Sequence, residues 1–309
     1  MNFSSHVSII MATYNRAHFI VETLKSIQMQ THTHWECLII DDGSTDPTET
    51  VLEPILKADN RFKYYKRPSS YKKGLPGCRN YGLDLVKGDY IIFFDDDDIA
   101  HPQNLEICVN ELLHGNISFC RYIREVFTGD FNYCFDYSKE YTSFLIDVND
   151  VESIIKNELP FNSCALMWKK ECFLSHRFIE HLMYAEEWEL YSRIIMSGYK
   201  GISIDKTLFY GRKHANSNTG EFWKGDKVRV NSKKEAIKLV VSNLYKKELL
   251  TPYLFKYLVN LAISFRDFKL VKNILKITNP KISLKLFYII KYYLFPFWVF
   301  YKNKTRYKH

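Results

Sequence analysis

The chain has 309 residues, 46% of them hydrophobic and 25% charged, which suits a folded protein with one large catalytic domain plus an extension, or two modest domains. Its seven cysteines form no CxxC pair, which argues against a zinc ribbon or a redox motif; with no signal-like segment at the start, they read as reduced thiols of a cytoplasmic protein. The net charge of +8 is unevenly spread: residues 1–223 hold 23 Lys/Arg against 31 Asp/Glu, and residues 224–309 hold 20 against 4. A basic half of this kind points to an anionic surface, lipid or nucleic acid.

In chain order, the apolar run 7–12 predicts a buried parallel strand. Phe19, Ile20, Leu24 and Ile27 then share one face of a helix. A second strand is predicted over 37–40, ending in Asp41-Asp42-Gly43-Ser44. Asp46 is expected to cap the next helix, with Pro47 at its first position and Glu49 completing a capping box. Strands at 62–65 and 90–94 follow, the last running into Asp95-Asp96-Asp97-Asp98. Residues 117–180 read as short strands and loops, 186–196 as a helix ending at Gly198, and 233–245, 253–265 and 270–277 as helices. Strands alternating with helices imply βαβ units and a mainly parallel sheet.

Ligands bind beyond the carboxyl ends of such strands. Here those ends carry Thr13-Tyr14-Asn15-Arg16, Asp41-Asp42 and the four aspartates. Adjacent carboxylates repel unless a cation offsets them, and hard oxygen ligands suit Mg²⁺ or Mn²⁺ shared with a diphosphate. Asp42 fits recognition of a base or ribose, and equally an Asp-Gly-Ser turn. Tyr14 fits stacking on a base, and equally packing.

Four ordered segments carry a family likeness: 7–16 (VSIIMATYNR), 40–46 (IDDGSTD), 77–82 (GCRNYG) and 94–98 (FDDDD), with Pro102 four residues on. The set resembles the glycosyltransferase 2 family of the GT-A fold over residues 6–215. That resemblance implies a Rossmann-like α/β domain at 1–223 with a helical extension at 224–309. It also implies an inverting, metal-dependent sugar transfer from a nucleoside diphosphate donor, usually a UDP-sugar, to an acceptor hydroxyl. The acceptor would be a saccharide or lipid-linked saccharide of a surface polysaccharide. By the same resemblance Ala12, Tyr14, Arg16, Asp42, Arg79, Asp95 and Asp96 serve the donor, while Asp97 and His214 serve Mn²⁺ or Mg²⁺. The family's base lies in a Glu-Asp motif. The matching stretch is Glu186-Glu187-Trp188-Glu189, with Glu187 where Asp is usual, so the base is Glu187 with Glu186 and Glu189 as alternatives.

The segment 284–301 is aromatic and apolar but carries Lys285 and Lys291 and is expected to break at Pro296. Its longest uncharged run is too short for the ~20 residues of a spanning helix. With Lys302, Lys304, Arg306 and Lys308 it suits peripheral attachment to the inner face of the cell membrane, or packing on a partner. A nucleotidyltransferase would share the carboxylate-metal chemistry, yet 13–16 lacks the glycine-rich loop it needs. A nucleic-acid-binding module would use the basic tail but has no recognisable nucleic-acid fold, so no nucleic acid is expected. The sequence assigns no oligomeric state.

Overall fold

The computed structural model describes residues 5–113, 115–138, 140–214 and 217–306, with side chains through Trp298. Lys308 therefore lies outside the described residues, as do the side chains of Lys302, Lys304 and Arg306. Two compact units form, Met1–Ser232 and Lys233–His309.

The first unit opens as β1 (Val7–Thr13), α1 (Ile20–Gln28), β2 (Trp35–Asp41), α2 (Thr48–Ala58), β3 (Phe62–Lys66), α3 (Leu75–Leu85) and β4 (Tyr90–Asp95). It continues as β5 (Ile99–Ala100), α4 (Asn104–Leu113), β6 (Phe119–Phe127), β7 (Ser143–Ile146), α5 (Val151–Ile155), β8 (Leu166–Lys169), α6 (Glu186–Ile195), β9 (Gly201–Arg212) and α7 (Asn218–Trp223). One sheet of order β3-β2-β1-β4-β8-β6-β9-β5 runs through it, with β7 on β9.

The expectation of a mainly parallel sheet holds for only half of it. β3, β2, β1 and β4 are parallel, as are β6 and β9, but β8 runs antiparallel to both β4 and β6, and β5 and β7 run antiparallel to β9. The first four strands are joined by helical crossovers, which suit parallel pairing; the later strands mix both directions although α4, α5 and α6 lie among them. Continuous apolar runs in β1, β2 and β4 reflect burial on both sheet faces. Ile9, Met11, Ile39 and Ile92 join α1 and α4 in one core cluster. On the other face Gly82 of α3 packs so close to β1 that a Cβ there would meet Ile10 Cγ2 at 2.5 Å. Gly82→Ala should therefore cost ~1–3 kcal/mol by overpacking, read as a lower urea midpoint; an unchanged midpoint would show that Ile10 can move aside.

Two local expectations need correction. α2 begins at Thr48, so its N-cap position falls on Pro47, which has no capping side chain, one residue later than expected. Asp46 instead accepts from Thr48 N at 3.1 Å and from Ala17 N at 3.0 Å, and Glu49 pairs with Lys66 at 2.7 Å. The Asp46 carboxylate is thus spent on joining two loops rather than on a capping box.

Below the sheet, buried Glu36 of β2 accepts from Ser8 Oγ (2.7 Å), Lys87 N (2.9 Å) and Lys63 Nζ (2.6 Å). Burial alone would push its pKa up, but these donors outweigh it and hold it below the ordinary value. A depressed carboxylate contributes stability above its unfolded pKa and loses it as pH falls through the folded one. Glu36→Gln should cost about 1–3 kcal/mol at neutral pH. That gap should begin to narrow as pH falls below about 4.3, where the unfolded chain protonates Glu36, and close only below the depressed folded-state pKa. Urea unfolding at several pH values checks this; a gap independent of pH would remove the charge from the explanation.

The second unit is helical: α8 (Lys227–Lys246, which begins in the first unit), α9 (Pro252–Ser264), α10 (Phe268–Thr278) and α11 (Ile282–Arg306). Side-chain caps start α9 and α10: Thr251 accepts from Leu254 N, and Asp267 from Leu270 N. Leu258, Val259, Ile263, Leu270, Val271 and Ile274 form its buried interior. Pro296 does not end α11; it sits inside the helix. A mid-helix proline forfeits one backbone hydrogen bond, and α11 continues past it at that cost. Among the described residues no helix is long and apolar enough to cross a membrane.

Candidate active site

Register brings three strand tips together: Thr13 lies beside Asp41, and Ala12 lies beside both Ile40 and Asp95. Neighbouring strands are ~4.8 Å apart, so the loops after β2, β1 and β4 share one crevice. Ala12 is half-buried at its mouth.

Asn15 laces the first two loops. It takes a left-handed backbone (φ 54°), which Asn tolerates, and its Oδ1 accepts from Thr45 N at 2.7 Å. The paired aspartates of β2 then diverge. Asp41 is spent inside the turn, accepting from Ser44 N (3.0 Å) and from Tyr64 OH (2.8 Å). Asp42 accepts from Arg67 Nε at 2.5 Å and from Gly74 N at 2.9 Å. Tyr14 is 45% exposed, with the Lys73 ammonium 4.6 Å from its ring centroid. The sequence reading missed Arg67, Gly74 and Lys73; no motif marks them.

The four aspartates after β4 also separate. Asp98 is turned inward, accepting from Arg124 NH2 (3.0 Å) and Arg212 N (2.7 Å), and burial raises its pKa to about 7. Asp96 is buried, 3.6 Å from Arg16 Nε; burial and then the Asp97 charge push its pKa up to about 8. Asp97 Oδ2 lies 2.9 Å from His214 Nε2 and 3.7 Å from Arg16 NH2. Asp95 faces Arg79 at 3.2 Å.

Arg79 comes from α3 and is almost fully buried. Its guanidinium donates to Asp95 Oδ1 (3.2 Å), Glu187 Oε1 (3.0 Å) and Ser163 Oγ (3.0 Å). Burial works against its charge, but Glu187 and Asp95 outweigh burial and raise its pKa. Ser163 N donates to Glu187 Oε2 at 3.0 Å, so both oxygens of Glu187 are held. The three acidic residues at the start of α6 have different surroundings. Glu189 is buried and bound at both oxygens by Arg193, 2.8 and 2.9 Å away. Glu186 is buried, its pKa raised to about 7 by burial and then by Glu187. Glu187 alone of the three is partly open, its side chain 26% exposed. Just before them Ala185 takes a left-handed backbone (φ 62°), a strained turn that sets the entry to α6.

The donor set fits a divalent cation. A carboxylate oxygen of Asp97 and an imidazole nitrogen of His214 converge from separate segments, amid acidic groups whose raised pKa values a cation would offset. Asp95, Asp98 and Cys164 also bring ligand atoms within 4.8 Å of one another. Asp98 is already committed to Arg124 and Arg212, and burial pushes the Cys164 thiol well above its usual pKa.

The profile described as Glycosyl transferase family 2 matches residues 8–167. The chain belongs to that family. Among its relatives is the Escherichia coli UDP-Glc:alpha-D-GlcNAc-diphosphoundecaprenol beta-1,3-glucosyltransferase WfgD, 41% identical over 114 residues, which are 37% of this chain and 43% of WfgD. The chain spans less than half the length of that relative. In structure this family member is similar to Staphylococcus aureus TarS 1-349 in complex with UDP-GlcNAc, with TM-score 0.66 at 18% identity over 85% of this chain and 73% of TarS. It is also similar to the mannosyltransferase PcManGT from Pyrobaculum calidifontis in complex with GDP-Man and Mn²⁺, with TM-score 0.55 at 14% identity over 89% of this chain and 74% of that one. These likenesses establish the GT-A fold with its helical C-terminal region.

Proposed function

We propose that the chain is an inverting glycosyltransferase that moves a sugar from a UDP-sugar to the hydroxyl of a lipid-linked saccharide during surface-polysaccharide synthesis. The observation that carries this reading is Glu187, a partly open carboxylate fixed by buried Arg79 to Asp95 at the tip of β4. Donor binding is assigned to Ala12, Tyr14, Arg16, Asp42, Asp95 and Asp96 around the crevice. Tyr14 offers a ring face to the base, and Asp42 offers oxygens whose positions Arg67 and Gly74 fix. Arg79 orients Glu187 and Asp95 from behind. Asp97 and His214 would hold Mn²⁺ or Mg²⁺, which when bound stabilises negative charge on the departing diphosphate. Glu187 accepts the proton of the acceptor hydroxyl, whose oxygen attacks the anomeric carbon from the face opposite the diphosphate. The activity named for WfgD, on a diphosphoundecaprenol-linked sugar, supports a lipid-linked acceptor and hence a place on the inner face of the membrane.

Nucleotide binding tests the donor side directly. UDP with Mn²⁺ should raise the melting temperature, by the equivalent of about 2.7 kcal/mol at a hundredfold excess over Kd. Asp97→Asn and His214→Ala should each remove most of the Mn²⁺-dependent part. A shift that persists in both variants would take the cation away from these residues.

A further inference from the structure

α11 leaves one helix face unpartnered. Leu286, Phe287, Ile290, Leu294, Phe297 and Trp298 are all at least half exposed, Phe297 at 73%. At 3.6 residues per turn they fall within an arc of about 120°. Between Leu286 and Trp298 no charged residue lies inside that arc. Lys285 and Lys291 fall outside it, where their ammonium groups bond Asn279 Oδ1 (2.7 Å) and Asn260 Oδ1 (2.8 Å). The opposite side packs inward: Tyr288 is buried against Phe255, and Tyr292 lies against Phe268. A cleft is lined by Ile263, Arg266, Tyr292, Tyr293, Phe295 and Pro296.

A contiguous exposed apolar face of this size marks an interaction surface. Charge selects its occupant. Residues 233–309 carry 17 Lys/Arg against 3 Asp/Glu, a net of +14. A second copy of this unit would meet like charge, whereas an anionic lipid surface meets opposite charge and also accepts Phe and Trp at the headgroup level. On α10, Lys269, Lys272 and Lys276 recur at helical spacing on the exposed side, with Leu270, Val271, Ile274 and Leu275 buried opposite. No helix among the described residues is long and apolar enough to cross the bilayer, so α11 is suited to lie along the surface.

We infer that this face of α11 is a membrane-docking surface, inserting its aromatic stripe among the headgroups of an anionic bilayer while the lysines of the unit add attraction. This rests on the membrane-side part of the proposed function and names the residues that would carry it.

The test is co-sedimentation of the full chain, without sugar donor or acceptor, with vesicles of phosphatidylcholine alone or mixed with phosphatidylglycerol. Binding is expected on the mixed vesicles and should weaken with added salt. Phe297→Glu combined with Trp298→Glu, both at exposed positions, should lower vesicle affinity by ~10-fold or more with the melting temperature unchanged. Undiminished binding by that variant, or absence of binding by the parent chain, overturns the inference. So does a lipid-free dimer that the same substitutions dissociate. Because no donor is present, either failure leaves the transferase reading standing, and a failed transfer assay leaves this one standing.

Discussion

Glu187→Gln should lower turnover by about 10²–10⁴-fold, the usual worth of a general base, while UDP binding stays intact. The amide keeps the size of the side chain, but its single carbonyl oxygen can accept from Arg79 or from Ser163 N and not from both, so some loss of stability should accompany the loss of turnover. What it loses is the capacity to take a proton. The same substitution at Glu189 should act differently: its carboxylate is bound at both oxygens by Arg193, so Glu189→Gln should affect stability more than the chemical step. Single-turnover transfer assays with melting curves on the two variants separate these outcomes. Turnover that survives in Glu187→Gln but falls in Glu186→Gln would move the base one residue.

Arg79→Met should destabilise the first unit by about 3–5 kcal/mol, the cost of removing one partner from a buried ionic cluster. Arg79 is the shared donor for Asp95 and Glu187 and lies 3.8 Å from Glu186. Its guanidinium also sits 5.5 Å from the ring centroids of Phe93 and Phe178, so the space around it is apolar and offers no replacement cation. Methionine fills part of the volume but leaves the carboxylates facing one another. Lysine should rescue only part of the loss, because one ammonium cannot reproduce a planar fork that reaches Asp95, Ser163 and Glu187 together. In urea unfolding, Arg79→Met with Glu187→Gln should be less destabilised than the sum of the single variants, since the second change removes one of the stranded charges. Strict additivity would mean that the two side chains do not interact.

Much of this site was legible in the chain because burial on both faces of a parallel sheet leaves an unmistakable mark. The apolar runs of β1, β2 and β4 each stop abruptly at polar residues, and those residues are the crevice. The mixed half was not legible: β7 and β8 are short, and β6, though parallel to β9, shifts register against it near Arg121 and Ile123. α3 escaped as a helix because its buried face carries Arg79 and Asn80 beside Gly77 and Gly82, which breaks the apolar period. Those polar residues are buried because each has partners, Arg79 in Asp95 and Glu187 and Asn80 in Phe178 and Glu180, which no local pattern reveals. Neighbouring aspartates look alike in sequence, yet hydrogen bonding divides Asp41 from Asp42 and Asp98 from Asp97. The same holds for Glu186, Glu187 and Glu189, which share one helical turn and differ only in what surrounds them.

The anomeric configuration of the product tests the central claim most directly. Given an α-linked UDP-sugar, Mn²⁺ and an undecaprenyl-diphosphate-linked acceptor sugar, the chain should form a β-linked product, identified by its anomeric proton coupling, and Glu187→Gln should form almost none. An α-linked product, or equal transfer by Glu187→Gln, would contradict single displacement with Glu187 as base.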